Sequence, residues 1–246
     1  MEAAPQPVKR LEPGRVISET FAVYRDNLGP LLGSALVVFA IVELVALLLG
    51  EADSDGLILL AIPLSLAGHA LYTGVVVKLV QDVRDGRRDS TVGDLFSAAA
   101  PAIGSLIVFT ILYTLGVAVG LILLVVPGLI LLTIWSLGPP AIVVERIGAI
   151  EAFGRSRRLV KGSGWSVFLV LFVTFVIAAA VGIAVGALGL AISDGVGAAY
   201  LASVIASALT APIASLAVAT MYFQLGGGEP DRSAVAEPPT APRPEV

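Results

Sequence analysis

Six apolar runs, 28–50, 57–80, 102–126, 128–144, 165–192 and 196–225, set the rhythm of the chain. Each has 17 or more residues, the length a helix needs to cross a hydrocarbon core of about 30 Å. In hydrocarbon every backbone N–H and C=O must find its partner within the chain, so the runs predict helices. Barrel strands would be shorter and would alternate apolar with polar. The fifth run would measure ~42 Å at 1.5 Å per residue, so it must tilt, bend or protrude.

The polar intervals carry a second pattern. In 15–27, Ile17, Phe21, Tyr24 and Leu28 recur at helical spacing while Arg15, Glu19, Arg25 and Asp26 take other faces, which predicts a short helix lying in the interface. Val92, Leu95, Phe96 and Ala99 fall at i, i+3, i+4 and i+7, behind a Thr91–Asp94 capping-box sequence. Ile147, Ile150 and Phe153 line a third amphipathic stretch, on which Glu151 and Arg155 stand as a favourable i, i+4 pair. The chain thus reads as three units, each an interfacial helix followed by a helical hairpin. The expected fold is all-α: a polytopic membrane bundle of six transmembrane helices with short amphipathic interfacial helices. Residues 1–14 read as an N-terminal tail and 15–225 as the membrane domain. Residues 226–246 open on Gly226-Gly227-Gly228, have five prolines after it and no apolar periodicity, and so read as a disordered tail.

Charge orients this scheme. Lys9, Arg10, Arg15 and Arg25 precede the first run; Lys78, Arg84, Arg87 and Arg88 cluster at the end of the second. Arg146, Arg155, Arg157, Arg158 and Lys161 lie between the fourth and fifth, and Arg232 and Arg243 follow the sixth. These are all fifteen basic residues of the chain. The three opposite connections hold none; they carry Glu51, Asp53, Asp55 and Asp194, or only the Val126-Pro127-Gly128 turn. Retention of Lys and Arg inside the cell predicts a multi-pass protein of the cytoplasmic membrane with both termini in the cytoplasm.

Composition narrows the chemistry. The chain is 57% hydrophobic and 14% charged, with mean hydropathy +0.95, against about a quarter charged in soluble domains. A net charge of -4 offers no basic surplus for nucleic acid. With no cysteine and one histidine, thiolate chemistry, disulfides and Cys- or His-rich metal sites are excluded. The first 27 residues are polar or amphipathic and the first run exceeds a signal h-region, so it reads as an uncleaved span.

The polar residues inside the runs are the candidate chemistry. Glu43 lies ~10 Å and His69 ~18 Å from the outer ends of adjacent runs, counted at 1.5 Å per residue. Ionisable groups at such depth are costly, and two readings follow: a proton or cation relay, or a neutral hydrogen-bonded pair. Pro63, Pro139, Pro140 and Pro212 interrupt three runs, either as broken helices lining a substrate path or as simple kinks. Gly116–Gly120, Gly182–Gly186 and the stripe Ala199, Ser203, Ser207, Ala211, Ser215, Ala219 are faces for close helix contact, within the chain or in a homo-oligomer. The basic cluster Arg155, Arg157, Arg158 and Lys161 either enforces topology or docks anionic lipid headgroups or another membrane protein. No phosphate-binding glycine loop, nucleophile elbow, HExxH or paired carboxylates stand in a suitable context, so neither catalytic nor cofactor residues are assigned.

The stretch 126–173 is the most distinctive. A Pro-Gly hairpin, a span ending in Pro140-Ala141, a hydrophobic pair before Glu145, then Ala149-Ile150-Glu151-Ala152, Ser156, an Arg158-Leu159-Val160 segment, Lys161-Gly162 and Trp165 follow one another. This resembles the membrane domain attached to some bacterial glycerophosphodiester phosphodiesterases, and related stand-alone six-span proteins. The resemblance implies the six-span fold. It does not imply the phosphodiesterase activity, which in those relatives belongs to a separate soluble barrel. The expected function is therefore non-catalytic: a scaffold, accessory or lipid-engaging protein at the cytoplasmic face. The alternative is a small transporter or channel using Glu43 and His69.

Overall fold

The computed structural model describes residues 11–50, 61–86, 91–193 and 195–228, and every regular element among them is helical. α1 (Pro13–Asp26) meets α2 (Leu28–Gly50) at the single residue Asn27, and α3 (Ala61–Arg84) packs beside α2. α4 (Val92–Ala99) passes through a short 3-10 turn (Ala100–Ala102) into α5 (Ile103–Leu123). α6 (Val125–Trp135) and α7 (Gly138–Glu145) are two halves of one traverse, α8 (Ala149–Val160) follows, and α9 (Gly164–Ile192) and α10 (Val196–Gln224) form a long hairpin.

Five described helical stretches are long and apolar enough to cross a membrane: Leu28–Leu49, Val92–Leu123, Val125–Glu145, Gly164–Ile192 and Val196–Gln224. The remaining expected run, 57–80, falls on α3, where His69 and Lys78, followed by Gln81 and Asp82, dilute the apolar character; its residues 57–60 lie outside the described residues. So do 1–10 and 229–246, which hold most of both expected tails. Outward-facing side chains identify the solvent. Leu36, Ile41, Leu44 and Leu48 on α2, and Val108, Leu112, Leu115, Val119 and Ile122 on α5, are all exposed. A water-soluble monomer rarely shows contiguous apolar surface beyond a few hundred Å². Here the outside of the bundle is apolar over whole helices.

Inside, α2, α3, α5, α7 and α10 meet around Phe39, Tyr72, Leu106, Phe109, Ile142 and Leu216. A second cluster joins α1, α7, α8, α9 and α10 through Val16, Ala141, Leu159, Val167, Met221 and Tyr222. Small residues set the closest approaches. A Cβ on Gly116 would lie 2.6 Å from the Trp135 ring, and one on Gly120 would lie 2.9 Å from Gly128 Cα, so this face is consumed in packing α5 on α6. Gly182 and Gly186 face open space instead. Along α10, Ser207 reaches Glu43 on α2 and Ser215 lies 3.3 Å from the Thr73 hydroxyl on α3, so the stripe from Ser207 onward is used within the chain, while Ala199 at its other end is exposed.

Three local expectations need correction. The buried face of α1 is Val16, Thr20 and part of Val23 and Tyr24, while Phe21 and Leu28 are exposed. Lipid accepts the apolar stripe, so the other face is free to pack on α10. The chain reverses at Leu124 (φ -160°, ψ 137°), not at 126–128. Pro127 sits in the first turn of α6, where no intrahelical amide donor is required. On α8, Ile150 is 72% exposed, and Ala149, Ala152, Arg155, Ser156, Leu159 and Val160 form the buried face. The capping box at Thr91 forms as expected: its Oγ1 accepts the Asp94 amide at 3.3 Å, and its own amide donates to Asp94 Oδ2 at 3.0 Å.

Candidate functional site

The break between α6 and α7 organises the polar chemistry. Pro139 and Pro140 open α7 and have no N–H to offer the Trp135 and Ser136 carbonyls one turn earlier, so helical bonding is interrupted here. Ser156 of α8 fills the gap. Its hydroxyl donates to the Ile134 carbonyl at 2.8 Å and accepts the Leu137 amide at 3.0 Å, while Ser136 Oγ donates to the Thr133 carbonyl at 2.9 Å.

The neighbouring residue on α8 closes the other end of α7. Arg146 takes a left-handed conformation (φ 55°) and stops the helix, leaving Glu145 at its C-terminus. Arg155 Nε donates to both Glu145 oxygens, at 2.8 and 2.9 Å; Tyr222 of α10 donates its hydroxyl at 2.6 Å, and the Gly228 amide lies 3.4 Å away. The Arg155 and Glu145 side chains are 8% and 19% exposed. Burying two charges is tolerable because the pair is close and the carboxylate has further donors. This latch ties α7, α8 and α10 together.

A looser cluster lies near the same end of α10. Gln224 donates to Glu19 at 2.7 Å, and Arg84 Nη1 lies 3.8 Å from Glu19 while its guanidinium sits 4.9 Å above the Phe223 ring. Burial pushes the Tyr24 hydroxyl above its ordinary pKa, which keeps it a neutral donor toward the Leu209 carbonyl.

The basic cluster expected at 155–161 is therefore split. Arg155 points inward to Glu145, whereas Arg157, Arg158 and Lys161 are exposed. Arg157 and Lys161 make no ion pair among the described residues; with Ile134, Val160, Gly162 and Gly164 they line a pocket of about 390 Å³. Glu43 and His69 are engaged separately. Glu43 accepts a hydrogen bond from Ser207 at 3.1 Å, His69 Nδ1 donates to the Ser65 carbonyl at 2.9 Å, and no hydrogen bond joins the two. The His69 ring lies edge-on to Phe39, one turn from Glu43 on α2, with centroids 4.9 Å apart. His69 also borders a cavity of about 200 Å³ with Thr73, Tyr113, Trp135, Ser136 and Ser215, and Glu43 is not on its wall. No group of three or more His, Cys, Asp or Glu that could hold a metal ion occurs among the described residues.

Sequence reading missed the partners of the latch. Ser156 and Glu145 stood in the distinctive stretch without a role, and Tyr222, 77 residues from Glu145, carried no local signal. Arg155 did carry one: it shares a helical face with Ala152, Ser156 and Leu159, an apolar and small-residue stripe that should bury whatever lies in it.

A chain whose described residues form only helices, with a lipid-facing exterior and five stretches long and apolar enough to cross a membrane, is a polytopic membrane protein. It belongs to the UPF0259 family, described as an uncharacterised protein family, whose model matches residues 56–214. The chain is 36% identical over 99 residues to a UPF0259 membrane protein of Pectobacterium carotovorum, covering 40% of this chain and 39% of that protein. It is 31% identical over 94 residues to a UPF0259 membrane protein of Sodalis glossinidius, covering 38% and 37%. The chain spans about two fifths of the length of the curated relatives it matches. No solved structure matches it. Both relatives are named as membrane proteins of the family alone, so the phosphodiesterase likeness of residues 126–173 gains no support from them.

Proposed function

We propose that this is a non-catalytic, six-span protein of the cytoplasmic membrane, with both termini inside, that engages anionic lipid at its cytoplasmic face. The observation that carries this reading is the different fate of two cations on α8. Arg155 is neutralised within the bundle, whereas Arg157 stays exposed and shares an open pocket with Lys161. The confinement of every Lys and Arg to alternate connections supports the orientation, and the packing of α3 beside α2 supports counting it as a span. A scaffold for partner proteins would use the same face.

Because the chain has no cysteine, single-cysteine variants report one position each. In intact cells, a membrane-impermeant maleimide should label Asp53→Cys and Asp194→Cys and spare Ser97→Cys and Ile150→Cys. The reverse pattern would overturn the orientation, and labelling of Asp53→Cys together with Ile150→Cys would overturn the span count. Lipid co-extracted with the purified protein should be richer in anionic species than the host membrane; an unchanged ratio would sink the lipid reading.

A transporter is the second reading, and the cavity bordered by His69, Thr73, Tyr113 and Ser215 favours it. A pH-dependent flux in proteoliposomes, lost in Glu43→Gln or His69→Gln, would replace the first reading with this one.

A further inference from the structure

Two concavities on the surface run into one another. The first, about 330 Å³, is an apolar groove between α6 and α9 walled by Val126, Leu129, Ile130, Ile134, Trp165 and Phe168. The second is the pocket of about 390 Å³ lined by Arg157, Lys161 and Gly162. Ile134 and Gly164 belong to both, so the apolar groove opens onto two exposed cations. Gly164 keeps the passage clear: a Cβ added there would have only a Val160 methyl, at 3.9 Å, within contact distance. The turn that presents Lys161 depends on Gly162, whose φ of +88° favours glycine.

We propose that this composite groove holds one anionic glycerophospholipid, its phosphate between Arg157 and Lys161 and one acyl chain lying between α6 and α9. The proposal rests on the lipid-engaging reading and makes it a single site. Charge and shape both specify the occupant. Two exposed cations at the mouth require an anion, and the apolar walls beyond Ile134 offer nothing to a soluble phosphate. From Val126 to Ile134 the α6 wall runs ~12 Å at 1.5 Å per residue. That is too short a seam for a partner's transmembrane helix, which must cross a core of about 30 Å, and long enough to hold part of one acyl chain. Trp165 and Phe168 stack with centroids 5.4 Å apart and stiffen the opposite wall. Trp165 is 77% exposed beside the cations, consistent with the preference of tryptophan for the headgroup level.

The test uses the full-length protein, delipidated in mild detergent and titrated with phosphatidylglycerol or phosphatidylcholine of identical chains, with bound lipid counted by native mass spectrometry. The wild type should retain one phosphatidylglycerol with a preference of about thirtyfold, two cations at the ordinary strength of a basic residue on an anionic surface. Arg157→Gln with Lys161→Gln should abolish the preference. Ile130→Trp should reduce occupancy with both cations intact, since Ile130 lines the groove and is 53% exposed, leaving the core undisturbed. Unchanged thermal unfolding of both variants would exclude a folding defect. Equal retention of the two lipids by the wild type, or an undiminished preference in the double variant, would overturn the site. Competition by glycerol phosphate would assign the pocket to a soluble anion and overturn it too. A selective site with Ile150→Cys labelled from outside would instead leave the groove standing and overturn only the cytoplasmic placement.

Discussion

Arg155 and Arg157 leave α8 about 200° apart, two steps of the 3.6-residue turn, and this separation decides what each charge does. The first is carried between α7 and α10, where Glu145, which also accepts the Tyr222 hydroxyl, receives it; the second is left in the open. Removing one member of a buried ion pair leaves the other desolvated without compensation, so Arg155→Gln should destabilise the folded protein by about 3–5 kcal/mol. Arg157→Gln should change stability by no more than about 0.5 kcal/mol, as for ordinary surface substitutions. Thermal unfolding of the two variants in the same detergent checks this, and equal losses would mean that Glu145 does not depend on Arg155. The sequence shows four basic residues in a row of seven and cannot by itself say which is buried. The small and apolar neighbours Ala152, Ser156 and Leu159 mark the inward face, and the identity of the carboxylate waits on a helix break that periodicity does not encode.

At the scale of helices, five of the six apolar runs fell on helices long and apolar enough to cross a membrane, because backbone desolvation leaves the chain little choice. The facing of each helix was less legible, because in a membrane an apolar side chain is equally at home against lipid or protein. Phe21 on α1 and Ile150 on α8 went to the outside for that reason, and the inward faces were claimed by the smaller Thr20 and by the hydrogen-bonded Ser156. Glycines discriminate better, since only a close backbone approach demands them. A Cβ on Gly128 would lie 2.6 Å from the Leu121 amide nitrogen, which cannot give way without moving α5. Gly128→Ala should therefore cost about 1–3 kcal/mol, the usual range for overpacking. Gly182→Ala, with nothing within 4 Å, should be neutral or slightly stabilising, because alanine is the better helix former. Chemical denaturation in detergent measures both; a stable Gly128→Ala would mean that α5 and α6 are not held at this distance.

Over the whole molecule, the sequence confines its basic residues to alternate connections, the pattern behind the proposed orientation, while the length of the last hairpin raises a question that charge does not address. α9 and α10 have 29 residues each, ~43 Å at 1.5 Å per residue, against a hydrocarbon core of about 30 Å. Their far ends are apolar and open: Ile183, Leu188, Leu190 and Ile192 on α9 are 64–82% exposed, and Val196 and Leu201 on α10 are 52% and 57% exposed. Standing in water, such a hairpin would lose the hydrophobic stabilisation that its composition offers, so tilt and local thickening of the bilayer should keep it covered. Coverage should then depend on thickness. In liposomes of increasing acyl-chain length, Ile192→Cys should react more and more slowly with an impermeant maleimide, while Asp53→Cys keeps its rate. A rate for Ile192→Cys that matched Asp53→Cys in every bilayer would mean that the hairpin projects into water, and its apolar surface would then require a cover other than lipid.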